Sequence, residues 1–217
     1  RAIDEIATDM ASPQPMHRLL QGDVGAGKTI VAVAALLNAV SGGHQGALMA
    51  PTEVLAEQHG SGVKALLDGL VVVDGDNLFG ERPLRVELLT NRVTGQDRRE
   101  VLAGLADGSV DIVIGTHALI QEGVEFGSLG SVVVDEQHRF GVEQRAALRA
   151  KSDGVVPDLL VMTATPIPRT AAMTVYGDLE VSALDELPPG RTPIATHWAA
   201  GPLAEATVWE SVRDEVA

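Results

Sequence analysis

Gly22-Asp23-Val24-Gly25-Ala26-Gly27-Lys28-Thr29 carries the plainest chemistry in this 217-residue chain. Its spacing, G-x-x-x-x-G-K-[ST], is that of a loop that wraps phosphate. Glycines let successive backbone N–H groups turn inward around an anion, which residues with a Cβ do only at a cost. Lys28 can reach the β- and γ-phosphates of a nucleoside triphosphate such as ATP, and the Thr29 hydroxyl can ligate Mg²⁺. The apolar run from Ile30 to Val40 supplies a helix whose positive N-terminal end faces those phosphates. The chain has only three lysines, Lys28, Lys64 and Lys151, so chance seldom puts one behind such a glycine pair. The plainer alternative is a glycine-rich turn with a solvated lysine.

A second string, Ser131-Val132-Val133-Val134-Asp135-Glu136-Gln137-His138, is an apolar strand ending in two acids. A nucleotide-hydrolysing site needs a carboxylate at a strand end to hold Mg²⁺, partly through water, opposite the Thr29 side. Asp135 suits that role, and Glu136 suits activation of the attacking water. Alone, the string reads equally well as a strand closing in a solvated acidic turn. Downstream, Thr163-Ala164-Thr165-Pro166 offers hydroxyls that can bond to His138 and link hydrolysis to movement, although taken alone it reads better as a Thr-Pro turn opening a helix. No second His or Cys stands at ligand spacing from His138, which argues against zinc.

These strings need a frame that brings them together. Candidate strands are Arg18–Gln21, Ala47–Ala50, Arg85–Leu89, Asp111–Ile114, Ser131–Val134 and Leu159–Thr163, mostly continuous apolar runs. Such runs suit parallel strands covered on both faces. Between them the pattern predicts helices over Ala2–Met10, Lys28–Val40, Glu53–Leu67, Gln96–Ala106, Val142–Ala150 and Pro168–Tyr176. Strand–helix alternation of this kind predicts an α/β fold with a doubly wound, mostly parallel sheet and ligands at the carboxyl ends of its strands. The glycine-rich, acidic stretch Gly69 to Pro83 reads as an inserted loop or hairpin. The proline-rich segment Leu187 to Pro193 reads as a linker, followed by a strand-like Ile194–Trp198 and a helix-like Leu203–Val216.

Composition sets outer bounds. A hydrophobic content of 45% suits a packed core, and the absence of cysteine excludes a disulfide scaffold and is compatible with the cytosol. No apolar run approaches the ~20 residues that span a bilayer, so no membrane role is expected. The net charge of −14 and the 3% aromatic content sit awkwardly with nucleic-acid binding, which favours a basic face and stacking rings. Either the chain binds no nucleic acid or it supplies part of a footprint completed elsewhere.

The three motifs in this order resemble the superfamily-2 helicases and translocases. The fuller strings narrow the resemblance to the RecG family: the phosphate loop, Ala50-Pro51-Thr52-Glu53, Gly115-Thr116-His117-Ala118-Leu119, Asp135 to Val142, Thr163 to Thr170, and Tyr176-Gly177-Asp178-Leu179. Gln137-His138 and the segment Asp185 to Arg191 favour this family over the transcription-repair coupling translocases, which stay open as an alternative. A nucleotide-gated module that hydrolyses nothing also stays open, though it would need neither Glu136 nor Thr163-Ala164-Thr165.

The resemblance implies a P-loop NTPase lobe of RecA-like fold over residues 1–190, with 191–217 a linker and the truncated start of a second RecA-like lobe. It implies an ATP-dependent, double-stranded-DNA translocase of the bacterial cytoplasm and nucleoid that remodels forks and Holliday junctions with a wedge domain and second lobe in cis. It also implies a fragment that binds ATP·Mg²⁺ but turns it over poorly alone. By the same resemblance Gln137, His138, Thr163 and Thr165 couple hydrolysis to movement. Pro51, Thr52, Glu53, Thr90, Thr116 and His117 stand where such lobes touch the DNA backbone, using hydroxyls and helix N-termini that add no positive charge. A helix cap is an equally good and compatible role for Thr52. At Thr90-Asn91-Arg92 the chain departs from the family's usual Thr-Gly-Ser string, where Arg92 could substitute a charged contact. Arg98-Arg99 reads better as a solvated helix face than as a phosphate-contacting pair.

Overall fold

The computed structural model describes residues 1–73, 80–135, 156–165, 179–185, 196 and 198–216. Seven strands form one sheet: β1 (His17–Gly22), β2 (Gln45–Met49), β5 (Val86–Leu89), β6 (Ile112–Gly115), β7 (Leu129–Asp135), β8 (Asp158–Thr163) and β9 (Glu180–Leu184). Their order is β5-β6-β2-β7-β8-β1-β9, and every neighbouring pair is parallel. The remaining strands, β3 (Val71–Val73) and β4 (Glu81–Pro83), pair antiparallel as a separate hairpin. The helices are α1 (Ala2–Met10), α2 (Lys28–Ser41), α3 (Glu53–Leu66), α4 (Gly95–Ala106) and α5 (Pro202–Val216), with a 3₁₀ turn over His117–Ile120.

The apolar runs of the strands split cleanly between the two faces, because successive side chains point to opposite sides of a pleated sheet. Leu19, Ala47, Met49, Val113, Val132, Val134 and Val161 join one core cluster, which Val101 and Leu105 of α4 and Leu119 of the 3₁₀ turn complete. Leu20, Leu48, Ile112, Ile114, Val133 and Leu160 join the other, closed by Ile6 of α1, Val31 and Leu36 of α2, and Val63 of α3. Leu20 and Leu36 are wholly buried, where truncation to alanine typically costs ~2–5 kcal/mol.

Two polar anchors hold the frame. Buried Gln45 opens β2 by donating from Nε2 to the carbonyls of Leu105 and Val110 at 3.1 and 2.7 Å, and its Oε1 accepts from Ser128 N. Arg18, buried in β1, donates to Asp9 of α1 and to Ser182 of β9 at 2.8 Å each, and Ser182 donates in turn to Glu5. This network ties α1 and the edge strand β9 to β1.

Six expected strands and the expected helices α1 to α4 are present with small shifts at their ends. The sheet is wholly parallel rather than mostly so, and it has a seventh member, β9, that the apolar pattern did not reveal. The stretch from Gly69 to Pro83 contains the expected hairpin, held to the sheet by paired Arg82–Asp111 bonds at 2.7 Å. The expected helices Val142–Ala150 and Pro168–Tyr176 lie outside the described residues. So does most of the expected strand Ile194–Trp198, in which Thr196 and Trp198 adopt no strand conformation. Helix α5 matches the expected helix-like tail, and Trp209 on it is 62% exposed.

Candidate nucleotide-binding site and its neighbourhood

The connection from β1 to β2 passes over β7 and β8 before re-entering the sheet, so the loop after β1 opens beside the ends of β8 and β7. Parallel α/β sheets hold their ligands at such strand ends. Here Val24, Gly25, Gly27, Lys28, Thr29, Asp135, Met162 and Ala164 line one cavity of about 280 Å³. The loop residues come from the end of β1, Asp135 from the end of β7, and Met162 and Ala164 from the end of β8. Lys28 and Asp135 therefore share a single chamber.

The loop shows why its residue types matter. Gly27 has φ +90° and precedes α2 in the left-handed region, where a Cβ would strain the backbone. It also offers no side chain to cap α2, which leaves the first amides of that helix without a side-chain acceptor. Lys28 Nζ donates to the carbonyls of Gly22 and Asp23 at 2.8 and 2.9 Å, so its ammonium lies within the loop's own curve. A positive helix end, a lysine and an adjacent hydroxyl around one cavity fit a nucleotide's phosphates, and Thr29 and Asp135 are oxygen donors of the kind Mg²⁺ takes. The chemistry of the donor set thus fits ATP·Mg²⁺.

Asp135 has a partner that the sequence motifs did not reveal. His59 of α3 donates from Nε2 to Asp135 Oδ2 at 2.8 Å, with both side chains largely buried. A signal for His59 was present in the chain. It stands three residues after buried Ala56 and four before buried Val63, so a helix places it on the core face.

At the end of β8, Thr163 is buried and its Oγ1 accepts from Thr165 N at 3.1 Å. Glu136, Gln137 and His138 lie outside the described residues, as does any contact they make with Thr163 or Thr165.

The positions expected to meet DNA gather at the other side of the same sheet edge. Pro51, Thr52 and Glu53 follow β2, Thr90 follows β5, and Thr116 and His117 follow β6, three strands that are direct neighbours. The hydroxyls there are committed locally. Thr52 Oγ1 caps α3 by accepting from Leu55 N, Thr90 Oγ1 accepts from Arg92 N, and Thr116 Oγ1 accepts from Ala118 N. Thr90 and Thr116 are buried, whereas Thr52 and His117 are exposed. Glu53 bonds to Arg92 at 2.9 Å, and Glu57 holds the same guanidinium at 2.8 Å. Arg92 is thereby neutralised by two carboxylates.

A model of the DEAD/DEAH box helicases matches residues 1–174. The chain is 58% identical over 197 residues to the ATP-dependent DNA helicase RecG of Mycobacterium bovis, covering 90% of this chain and 26% of that protein. It is 56% identical over 198 residues to that of Bacillus subtilis, covering 91% of this chain and 27% of the relative. The chain thus spans about a quarter of the length of these curated relatives. Among solved structures, RecG bound to a three-way DNA junction superposes with a TM-score of 0.75 at 42% identity, over 100% of this chain and 27% of that one. A DEAD box protein from Methanococcus jannaschii, at 17% identity and a TM-score of 0.56 over 85% of this chain and 48% of that one, shares the RecA-like fold.

Proposed function

Because this chain belongs to the DEAD/DEAH box helicases, we propose that it is the first RecA-like motor lobe of a RecG-type enzyme that spends ATP to translocate on double-stranded DNA and remodel branched junctions. The observation that carries the reading is the shared chamber of Lys28, Thr29 and Asp135, set beside a row of candidate backbone contacts on β2, β5 and β6. Likeness to a junction-bound RecG supports the branched-DNA part.

In this reading the loop from Gly22 to Thr29 wraps the phosphates, with Lys28 turning from its own carbonyls towards the β- and γ-oxygens. Thr29 and Asp135 hold Mg²⁺, which when bound neutralises charge developing on the phosphoryl group. Glu136, next to Asp135 in sequence, orients and deprotonates the attacking water. Gln137 and His138, with Thr163 and Thr165, pass the state of the site to the moving parts. An arginine from a second lobe supplies the remaining charge, a contribution of ~10³–10⁵ in rate in related enzymes. Isolated, the lobe then binds nucleotide weakly and hydrolyses it hardly at all.

The DNA contacts are built with little net positive charge. Exposed Thr52 and His117 and the starts of α3 and the 3₁₀ turn present N–H donors to phosphate, while buried Thr90 and Thr116 shape those turns. The rest of the footprint belongs to a wedge domain and second lobe in cis, which reconciles a net charge of −14 with DNA binding.

The test is branched-DNA unwinding and DNA-stimulated ATP hydrolysis by the intact protein. Glu136→Gln is expected to bind ATP and abolish hydrolysis; persistent hydrolysis removes Glu136 from its role. Failure of the intact protein to bind nucleotide or to process a three-way junction overturns the reading.

A further inference from the structure

Helix α3 connects the two halves of the sheet edge. Its N-terminus carries Thr52 and Glu53, and two turns later His59 donates to Asp135 Oδ2 at 2.8 Å. Nothing in the core asks for an imidazole here. Ala56, Gly60 and Val63 already supply the buried face of α3, and the side chains of His59 and Asp135 are only 15% and 12% exposed. Two polar groups taken this far from water are costly unless each satisfies the other.

A carboxylate that must present an oxygen to a divalent cation gains from a donor that fixes its other oxygen. Such outer partners commonly contribute 10–100-fold to metal affinity. Asp135 both lines the cavity and is held by His59 from outside the loop. We propose that His59 is a positioning residue, fixing the Asp135 carboxylate for Mg²⁺ and tying its orientation to α3. The proposal rests on the nucleotide reading above. It adds a physical link between the helix that begins at the candidate DNA contacts and the metal-holding acid.

The test is a Mg²⁺ titration of ADP binding by the intact protein, read by calorimetry and repeated in EDTA. His59→Ala is expected to raise the Mg²⁺ concentration at half-effect about tenfold, the low end of the outer-partner range because part of the Mg²⁺ shell is water. Its affinity for ADP in EDTA should stay at the wild-type value. His59→Gln, whose amide can still donate to Asp135, should restore the midpoint to near wild type. If His59→Ala does not fold, His59→Asn, whose amide is too short to reach Asp135, replaces it with the same expectation. An unchanged midpoint in the non-donating variant overturns the proposal, as does equal loss of binding with and without Mg²⁺. Absence of ADP binding by the wild type itself overturns instead the nucleotide reading.

Discussion

Gly115, the last residue of β6, lies against the carbonyl oxygen of Leu89 on β5 so closely that a Cβ there would collide with backbone. Backbone cannot swing aside as a flexible side chain does. Leu119 of the 3₁₀ turn crowds the same space, at 3.0 Å from the position a Cβ would take. Gly115→Ala is therefore expected to cost ~1–3 kcal/mol as an overpacking change. A domain of this size loses ~2–4 °C of melting temperature per kcal/mol. If Thr116 and His117, which follow directly, meet the DNA backbone as proposed, DNA affinity of the intact protein should fall with stability. A melting temperature within a degree of wild type would show that β5 and β6 part more easily than their register implies.

Lys28 serves the loop as well as any phosphate it meets, through its bonds to Gly22 and Asp23. Lys28→Ala removes the cation and both closures. Hydrogen bonds to charged groups contribute ~1.5–3 kcal/mol, or roughly 10- to 100-fold in affinity. Calorimetry should show ADP binding weakened by that factor. Hydrogen exchange in the nucleotide-free protein should quicken over residues 23–27 while the strands stay protected. Unchanged loop exchange would assign Lys28 to the ligand alone.

Arg82 clasps Asp111 with both terminal guanidinium nitrogens, and Asp111 also accepts from Arg85 N at 2.7 Å. This clasp fastens the β3–β4 hairpin to the start of β6. Arg82→Ala strips two hydrogen bonds from a largely buried carboxylate and leaves it the Arg85 N–H, a loss of ~1–3 kcal/mol. Exchange at Val71–Val73 is expected to accelerate far more than exchange in β2 or β7. Uniform acceleration across the sheet would mean that the hairpin is part of the core's cooperative unit.

How much of this was legible beforehand depends on what each element buries. Six strands announced themselves because both faces are covered, as in Val132-Val133-Val134 and Ile112-Val113-Ile114. Strand β9 did not, since little of it is both apolar and buried: Glu180 and Ala183 are exposed, Val181 and Leu184 are only partly buried, one against each core cluster, and buried Ser182 is polar because it serves Arg18. The phosphate loop was readable from eight contiguous residues. His59 was not, because its meaning lies in a contact with Asp135 across 76 residues of sequence. Thr90 and Thr116 could be placed at strand ends by pattern, but only the fold shows their hydroxyls turned into local bonds. The pattern likewise placed Arg92 beside the candidate DNA contacts without showing that Glu53 and Glu57 already hold it.

Asp158 opens β8 and accepts from Met16 N at 2.6 Å through Oδ1. Burial pushes its carboxyl above the usual carboxylate range, and nearby Asp9 adds to the rise, while the Met16 bond and His44 oppose it. Folding therefore favours the protonated form. The stability this group contributes is full below the unfolded carboxylate value, ~3.9, and is lost as pH climbs through the raised native value. Asp158→Asn keeps an oxygen for Met16 N and carries no charge to desolvate. The variant is expected to melt a few degrees above wild type at pH 7, with the gap closing below about pH 4. Asp158→Ala, which also loses the Met16 bond, should be less stable than Asp158→Asn at every pH. If Asp158→Asn melts below wild type at pH 7, the ionised carboxylate stabilises β8, and the burial argument at this position fails.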